Sequence, residues 1–310
     1  MGQLKPCPTP KEGAVKISPC CWDNTIELQK LDFENPIVEI GFGNGDFTLW
    51  LASKFKNQPV LAVDKWHPGI RALIHKCQQR KLDNLYVFNL DANLFVEYLL
   101  KPNQVERFYF NYPDPFFKKR DIKRRLLKTS FLSWVAFKLK PRGKVYIRTD
   151  IPDYYEYVLE QLEPIKELFE IHKTFDEDLP STKYELKALK EGRKPLKLLL
   201  IKKKDPQDLE DKEVLPLRAI KLPKVDLTKL PLREDIKDPQ RGYFFKIENT
   251  YKGQNIDLIE IYVGEEGFYQ HVFIGVFRTS DGYVIKPKSF AVGVRSLSWA
   301  VEKIAELVSP

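Results

Sequence analysis

The sequence predicts an α/β protein with a doubly wound, mostly parallel seven-stranded sheet, followed by a small C-terminal α+β domain. Three observations lead to this prediction. From residue 37 onward, short apolar runs alternate with segments of helical periodicity, which is the pattern of parallel strands joined by helical crossovers. A glycine-rich turn at residues 41–45 follows the first apolar run. Near residue 204 the chain becomes proline-rich, and then gives way to closely spaced β-type runs.

The strands of the sheet are expected where β-branched and aromatic residues cluster, and a helical segment follows each of the first five. These strands are 37–40, 60–63, 85–88, 105–110 and 144–147. The helices after them are 47–55, 70–80, 94–100, 124–139 and 154–168. Two more strands, 171–175 and 196–201, flank a short helix at 184–191 and complete the sheet. Ligands of such sheets bind at the carboxyl ends of the strands.

The length of 310 residues suits two domains. Residues 1–30 contain four prolines and are predicted to form an irregular arm, and residues 31–203 form the sheet domain. Residues 204–240 hold five prolines among charges and isolated leucines, which predicts a strap without regular structure, docked on the main domain. Residues 241–310 form the C-terminal domain, with strands at 243–247, 258–263, 269–276 and 282–285 and a helix at 296–307.

Several protein classes are excluded by composition. No apolar run approaches the ~18 residues of a membrane helix, and no apolar stretch follows the N-terminus, so we expect a cytoplasmic protein with no membrane partner. The cysteines form no C-x-x-C pair, and Cys20 and Cys21 are adjacent, so we expect neither a disulfide nor a metal site. The single methionine and the abundance of lysine and glutamate are typical of thermophile proteins.

The positive charge is confined to the first two-thirds of the chain. The net charge is +8 overall, with +10 on residues 1–204, −2 on 205–240 and zero on 241–310. Within residues 118–128 seven cations face a single acid, Asp121. At the start of the helix predicted from 124 they would oppose the helix dipole, which a polyanion would offset. We therefore predict contacts to a nucleic-acid backbone from Lys118, Lys119, Arg120, Lys123, Arg124, Arg125 and Lys128.

The glycine turn combines Gly41, Gly43 and Gly45 with Asp46, which begins the next helix. Glycines at this place let the backbone approach a ligand closely. A dinucleotide-binding fingerprint would have glycine where Asp46 stands, and this acid would repel a pyrophosphate. The turn therefore favours a cofactor without phosphates and disfavours an NAD-dependent oxidoreductase.

Acidic residues mark the first three strands. Glu39 lies inside an apolar strand, where burial is costly unless a partner such as a ligand ammonium is present. Asp64 follows the second strand and suits the two hydroxyls of a ribose. Asp91 and Ala92 follow the third strand and suit an adenine edge. Together they predict a cationic nucleoside, S-adenosylmethionine.

Three further motifs follow later strands. Asp114 lies between two prolines that fix its backbone, directly before the cationic run. Arg148, Thr149 and Asp150 end the fifth strand. Residues 181–185, Ser-Thr-Lys-Tyr-Glu, predict a helix start with Ser181 as N-cap, and capping alone is one explanation of this motif.

Together, the glycine turn with Glu39, the Pro-Asp-Pro turn with its basic run, Thr149-Asp150 and the Ser-Thr-x-Tyr-Glu motif resemble the bacterial tRNA (guanine-N7-)-methyltransferases, a family of the Rossmann-like class I S-adenosylmethionine-dependent methyltransferases. The resemblance covers residues 37–202. It implies S-adenosylmethionine contacts by Glu39, Gly41, Gly43, Gly45, Asp64, Asp91, Ala92 and Asp114. It implies that Asp114 is catalytic. It implies contacts to the tRNA substrate by Lys118, Asp150, Thr182, Lys183, Tyr184 and Glu185.

Three positions depart from the usual family pattern: Phe116 replaces a tryptophan, Asp121 replaces a histidine, and Asp64 replaces a glutamate. The C-terminal domain is an addition to the family core. It could add tRNA-contact surface or stabilise the fold, and its zero net charge favours stabilisation or subunit contact.

The implied function is transfer of the methyl group of S-adenosylmethionine to N7 of a guanosine in tRNA, by a monomer or homodimer with no DNA partner. Two alternatives stay open. The Asn111–Phe116 segment loosely resembles the turn that methylates exocyclic amines, although Asp114 separates its two prolines. The other alternative is a catalytically silent RNA-binding protein with the same fold. The intact acids at the strand ends argue against it.

Overall fold

The computed structural model describes residues 16–17, 30–78, 80, 82–265, 268–288 and 291–310. The arm predicted at 1–30, with Cys7, Cys20 and Cys21, therefore lies outside the described residues except for 16, 17 and 30. The described chain divides into two compact units, with the boundary between Lys212 and Glu213. Among the described residues, no helix is both long and apolar enough to cross a membrane.

The first unit is built on one sheet. Its strands are β1 (Lys16–Ile17), β2 (Ile37–Ile40), β3 (Val60–Asp64), β4 (Leu85–Asn89), β5 (Val105–Asn111), β6 (Leu139–Thr149), β7 (Phe169–His172) and β8 (Leu196–Lys202). Their order is β1-β4-β3-β2-β5-β6-β8-β7, and only β8 runs antiparallel to its neighbours. The predicted mostly parallel seven-stranded sheet is confirmed. The two-residue β1, which pairs with β4, adds an eighth strand within the arm predicted to be irregular.

Helices cover the sheet between its strands. They are α1 (Asp46–Lys54), α2 (His67–Gln78), α3 (Ala92–Leu94), α4 (Thr129–Lys138), α5 (Pro152–Leu162) and α6 (Lys183–Lys190). A π-helical turn, Phe95–Leu99, continues α3, and a 3-10 turn, Glu163–Leu168, continues α5. All four residues of β2 are buried, as expected for a parallel strand covered on both faces.

The helix predicted at 124–139 is wrong in its first turns. The basic run forms a separate 3-10 helix, Lys119–Arg124, and α4 begins only at Thr129. The backbone at Arg125 and Lys128 is extended, and Leu127 between them is completely buried. Only Lys128 therefore lies at the N-terminus of α4, so the helix-dipole argument for a polyanion does not hold.

Strand register brings the predicted site residues to one edge of the sheet. Ile40 at the end of β2 pairs with Val63 of β3 and with Phe110 of β5. Asn111, the last residue of β5, pairs with Arg148 of β6. Because these parallel strands end together, the loops that follow them share one rim of the sheet.

The second unit is an antiparallel sheet with one long helix. It contains β9 (Ile220–Leu222), β10 (Asp235–Asp238), β11 (Tyr243–Tyr251), β12 (Ile256–Glu265), β13 (Phe268–Thr279), β14 (Gly282–Pro287) and α7 (Arg295–Val308), with strand order β10-β11-β12-β13-β14-β9. The apolar stripe of α7, which includes Leu297, Ala300, Val301 and Ile304, is buried.

The prediction that residues 204–240 lack regular structure is wrong. Both edges of the second sheet come from this segment: β10 pairs with β11, and β9 pairs with β14. The non-proline residues between positions 206 and 239 keep their backbone N–H and C=O groups. Pairing with β11 and β14 satisfies the hydrogen bonds of these groups. Its first residues, up to Lys212, belong instead to the first unit, where Lys212 forms a 2.6 Å ion pair with the buried Glu97.

Candidate active site

The glycine turn between β2 and α1 requires glycine at its three positions. Gly41, Gly43 and Gly45 all have positive φ, at 76°, 56° and 79°, a region that side chains disfavour. A Cβ at Gly45 would lie 2.6 Å from the Leu73 side chain of α2. A Cβ at Gly41 would meet no atom within 4 Å. The turn is thus tightly packed on one side and open at Gly41.

Asp64 connects this turn to the end of β3. Its Oδ2 accepts a 2.9 Å hydrogen bond from the Gly43 backbone N–H, and its Oδ1 accepts one of 2.9 Å from the Trp66 N–H. The carboxylate therefore fixes the glycine turn at the rim. Each oxygen retains a lone pair, so a ribose hydroxyl can still donate to it.

Asp91 caps α3 at the end of β4, and Ala92 is the first residue of that helix. The Asp91 carboxylate accepts from the Asn93 N–H at 2.8 Å and from Lys65 Nζ at 2.6 Å. Burial opposes the charged form, but the hydrogen bond and charge of Lys65, together with the hydrogen bonds of Asn93, outweigh it and lower the pKa of Asp91 below its ordinary value. Asp91 is therefore an anion in the neutral pH range.

Glu39 is 1% exposed and has its partners within the protein. Its carboxylate accepts from Thr48 Oγ1 at 2.5 Å and from Asn111 Nδ2 at 3.2 Å. The partner that burial of this acid requires is therefore supplied by the chain itself, through Thr48 and Asn111. Burial still raises the pKa of Glu39 to about 7, although the two hydrogen bonds and the charge of Arg148 act in the opposite direction.

Arg148 extends these contacts across the sheet. Its Nε donates to Asn111 Oδ1 at 2.8 Å, and its Nη1 donates to Glu185 Oε2 at 2.9 Å and to the Pro180 carbonyl at 3.1 Å. The side chain is 2% exposed. A continuous chain of hydrogen bonds, here named the buried network, therefore runs through Thr48, Glu39, Asn111, Arg148 and Glu185.

The start of α6 differs in detail from its prediction. Thr182, not Ser181, is the N-cap, because its Oγ1 accepts from the Glu185 N–H at 3.2 Å. Glu185 is buried on Arg148, whereas Lys183 and Tyr184 are exposed. A Cβ at Gly43 would lie 3.8 Å from the Tyr184 ring. The start of α6 therefore lies beside the glycine turn, with Tyr184 facing outward.

Asp150, at the end of β6, is held by a residue that the sequence analysis missed. The carboxylate of Asp150 forms an ion pair with Arg193, which also pairs with Glu191. Only 14% of the Asp150 side chain is exposed. Arg193 therefore sets the orientation of this carboxylate at the rim.

Asp114 is exposed in a strained turn after β5. The residues on either side of the Pro-Asp-Pro segment, Tyr112 and Phe116, have φ of 54° and 43°, which is unfavourable for bulky side chains. The Tyr112 N–H donates to the Arg148 carbonyl at 2.8 Å. Within the described part of the chain, Asp114 forms no ion pair with the basic run. Its carboxylate is therefore available at the rim.

Arg125 differs from the exposed cations of the basic run because it is buried. It is 9% exposed, its Nε donates to the Pro115 carbonyl at 2.7 Å, and its guanidinium lies 4.5 Å from the Tyr157 ring centroid. Arg125 therefore anchors the Pro-Asp-Pro turn through its Nε, a structural role that the sequence did not predict.

Most of the basic run nevertheless faces solvent. Asp121, its single acid, lies 3.8 Å from Arg120 and 3.5 Å from Arg124. Lys128 is half-buried. The exposed cations are Lys118, Lys119, Arg120, Lys123 and Arg124. This surface, here named the basic rim, directly follows Asp114 in the chain.

Comparison with known proteins identifies the family. A family model described as "Putative methyltransferase" matches residues 34–198. The tRNA (guanine-N(7)-)-methyltransferase of Aquifex aeolicus (strain VF5) is 35% identical over 298 residues, which cover 93% of this chain and 99% of that protein. This chain belongs to the tRNA (guanine-N7-)-methyltransferase family. The resemblance carried by residues 37–202 is thereby confirmed.

Other members of the tRNA (guanine-N7-)-methyltransferase family match a shorter part of the chain. Relatives of that name from Syntrophotalea carbinolica and Paracoccus denitrificans are 36% and 31% identical over 133 and 159 residues. These matches cover 43% and 51% of this chain. The Aquifex relative, in contrast, matches this chain beyond the sheet domain.

Sequence reasoning missed the residues that support the family motifs, chiefly Thr48, Asn111, Lys65 and Arg193, and it gave Arg148 no role. One signal was available for Asn111. An acid inside an apolar strand requires a hydrogen-bond donor, and Asn111 is the polar residue that ends the neighbouring strand, two residues beyond the register partner of Glu39. The positions of Thr48 and Arg193 depend on helix packing and a loop path, which no local pattern encodes.

Burial of Glu39 should make the stability of the ligand-free protein depend on pH. Folding raises the pKa of this carboxyl from 4.5 to about 7, so the folded state favours the protonated form. The resulting stabilisation is complete below about pH 4.5 and is lost as pH rises through about 7, by at most about 3 kcal/mol. We expect the melting temperature to fall between about pH 4.5 and pH 7 and to level off above that, and Glu39→Gln to reduce that fall. Parallel pH curves for the two proteins would contradict this assignment.

Loss of Arg148 should destabilise the first unit strongly. Arg148→Met leaves Glu185 and Asn111 without their buried partner, and breaking such a pair typically costs about 3 kcal/mol or more of unfolding free energy. Arg142→Met is the matched control, because Arg142 pairs with Glu170 while 69% exposed, and it should change stability by less than about 1 kcal/mol. Urea denaturation measures both. Equal stabilities for the two variants would refute the importance of the buried network.

Proposed function

We propose that this protein transfers the methyl group of S-adenosylmethionine to N7 of a guanosine in tRNA, giving 7-methylguanosine. The observation that carries the proposal is family membership, with 35% identity to a tRNA (guanine-N(7)-)-methyltransferase along 93% of the chain. The geometry supports it, because the motif residues of β2, β3, β4, β5 and β6 share one rim.

The residues at the rim fit the cofactor. The space above Gly41 admits a ligand against the backbone, and Asp64 presents lone pairs suited to ribose hydroxyls. Asp91 and Ala92 follow β4, where the adenine part would be held. Glu39 is buried one residue before the end of β2, where the amino-acid part would be held. Carboxylates also complement the two positive charges of this nucleoside. When bound, S-adenosylmethionine supplies an electrophilic methyl group on a sulfonium.

The chain's main contribution to catalysis is placement. Guanine N7 carries a lone pair and no proton, so its attack needs no general base, and in-line positioning can supply most of the rate. The guanine ring becomes positively charged as N7 is alkylated. The exposed carboxylate of Asp114 stabilises that charge and can accept the N1 proton, whose acidity rises. The proline-flanked, Arg125-anchored turn holds Asp114 for this role.

The substrate side is formed by α6, β6 and the basic rim. Lys118, Lys183 and Tyr184 are exposed toward the substrate, while Thr182 and Glu185 fix the start of α6. Asp150 is oriented by Arg193. The basic rim grips the tRNA backbone without reading sequence.

The decisive experiment measures the product. Labelled S-adenosylmethionine is incubated with bulk tRNA that lacks 7-methylguanosine, and the nucleosides are separated after digestion. We expect label in 7-methylguanosine. Label in another nucleoside would favour methylation of an exocyclic amine. Absence of label with retained tRNA binding would favour a catalytically silent RNA-binding protein.

The proposal also covers the cellular location, the source and the oligomeric state of the protein. A tRNA substrate accords with a cytoplasmic location, and the composition with a thermophile source. The working unit would be a monomer or homodimer. Sedimentation with and without tRNA distinguishes the two assemblies.

Asp114→Asn should retain cofactor binding and lose turnover by at least ~100-fold, by analogy with removal of one electrostatic stabiliser. The amide keeps the shape of the side chain and removes the charge. Asp153→Asn, an exposed acid of α5, is the control and should be silent. Titration calorimetry gives the cofactor Kd and the labelled assay gives kcat. Near-normal kcat for Asp114→Asn would overturn the assignment.

Binding of tRNA should weaken steeply as salt rises, because phosphate contacts release counterions. Lys123→Ala should lower affinity and reduce the slope of log K against log salt by about one unit. Lys204→Ala removes an exposed lysine outside the basic rim and should leave the slope unchanged. A tRNA affinity of the wild-type protein that does not change with salt would count against contacts to the tRNA backbone.

A further inference from the structure

Phe117 is a large apolar side chain left in water beside the proposed active site. It is 70% exposed and stands three residues after Asp114, which corresponds to at most about 10 Å of chain. Burying a phenylalanine side chain stabilises a fold because it removes a large apolar surface from water. Phe117 does not contribute this stabilisation, whereas Phe108 and Phe110 of the preceding strand are completely buried.

The turn holds the two adjacent rings in different environments. Phe116 is half-buried, and the Arg124 guanidinium lies 4.7 Å from its ring centroid. It also adopts a φ of 43°, a strained conformation that surrounding structure must enforce. Arg125 supplies part of that enforcement through the Pro115 carbonyl. Phe117 is therefore exposed in a turn whose conformation is held by its neighbours.

The surroundings of Phe117 select among possible partners. The basic rim lies immediately beyond it, and the acid in the run, Asp121, is within ion-pair distance of two of its own neighbours. An apolar protein surface that covered Phe117 would also desolvate these cations, which is costly. A partner with flat apolar faces and a dense negative charge satisfies both features. Nucleic-acid bases and phosphates have this combination.

We propose that Phe117 stacks on an unpaired base of the tRNA next to the guanosine that is methylated. This inference rests on the proposed function. Enzymes that react at a base take it out of the stack, which uncovers one face of its neighbour. Single-stranded RNA bases are commonly held by stacking on aromatic side chains. Phe117 replaces the stacking partner that the extruded guanine no longer provides, while the basic rim binds the adjoining phosphates.

The test compares tRNA binding across substitutions of Phe117. Phe117→Ala removes the stacking of one base and should therefore weaken the tRNA Kd roughly 10-fold. Phe117→Trp keeps an aromatic face and should bind within about twofold of wild type. Phe117→Leu keeps an apolar side chain without a flat π-face, and should bind as weakly as the alanine variant. Tyr269→Ala is the matched control, because Tyr269 is also 70% exposed but lies in the second unit.

Two further readouts separate stacking from other effects. Phe117→Ala should leave the salt slope of tRNA binding unchanged, in contrast to Lys123→Ala, because no charge is removed. Its melting temperature and cofactor Kd should also equal those of wild type. Wild-type affinity of Phe117→Ala or wild-type affinity of Phe117→Leu would each overturn the inference.

Failure of the proposed function is distinguishable from failure of this inference. If the wild-type protein forms no 7-methylguanosine, the reaction is wrong, whereas stacking is judged from tRNA binding alone. If the wild type forms the product and Phe117→Ala has an unchanged kcat/KM for tRNA, stacking beside the target base is refuted and the reaction stands.

Discussion

The buried guanidinium of Arg148 is the constraint on which the site depends. A charge removed from water needs partners inside the protein, and Arg148 finds them through its Nε on β5 and its Nη1 at the start of α6. Asn111 passes the connection on to Glu39 of β2. The relative positions of three strands and one helix are therefore set by one set of hydrogen bonds, which joins the proposed cofactor side of the rim to the proposed substrate side.

Much of the fold was predictable because its signals are local. Buried parallel strands appear as short apolar runs, and the acids that follow them mark strand ends regardless of tertiary packing. The strands of the sheet domain, the C-terminal strands and α7 were therefore found. The glycine turn was found for the same reason. Gly41, Gly43 and Gly45 adopt left-handed backbone, and glycine is the residue type that favours this conformation.

The failures share a different cause. Helical periodicity around 124–139 suggested one helix, but the burial of Leu127 and the anchoring of Arg125 impose an extended segment that only the neighbouring turn explains. The proline-rich segment contains the two edge strands of the second sheet because β11 and β14 offer unpaired edges. The internal partners of Glu39 were likewise missed, because neither Thr48 nor Asn111 belongs to a sequence pattern that marks it as a donor.

Arg125 has a consequence for how this family can vary over evolutionary time. In the printed sequence it is one of several neighbouring basic residues, and an alignment would treat lysine as an equivalent replacement at each of them. Its position demands a planar group that donates to a carbonyl while its face lies against Tyr157, which an ammonium cannot reproduce. Cations of the basic rim should therefore drift freely between arginine and lysine among descendants, while position 125 stays arginine.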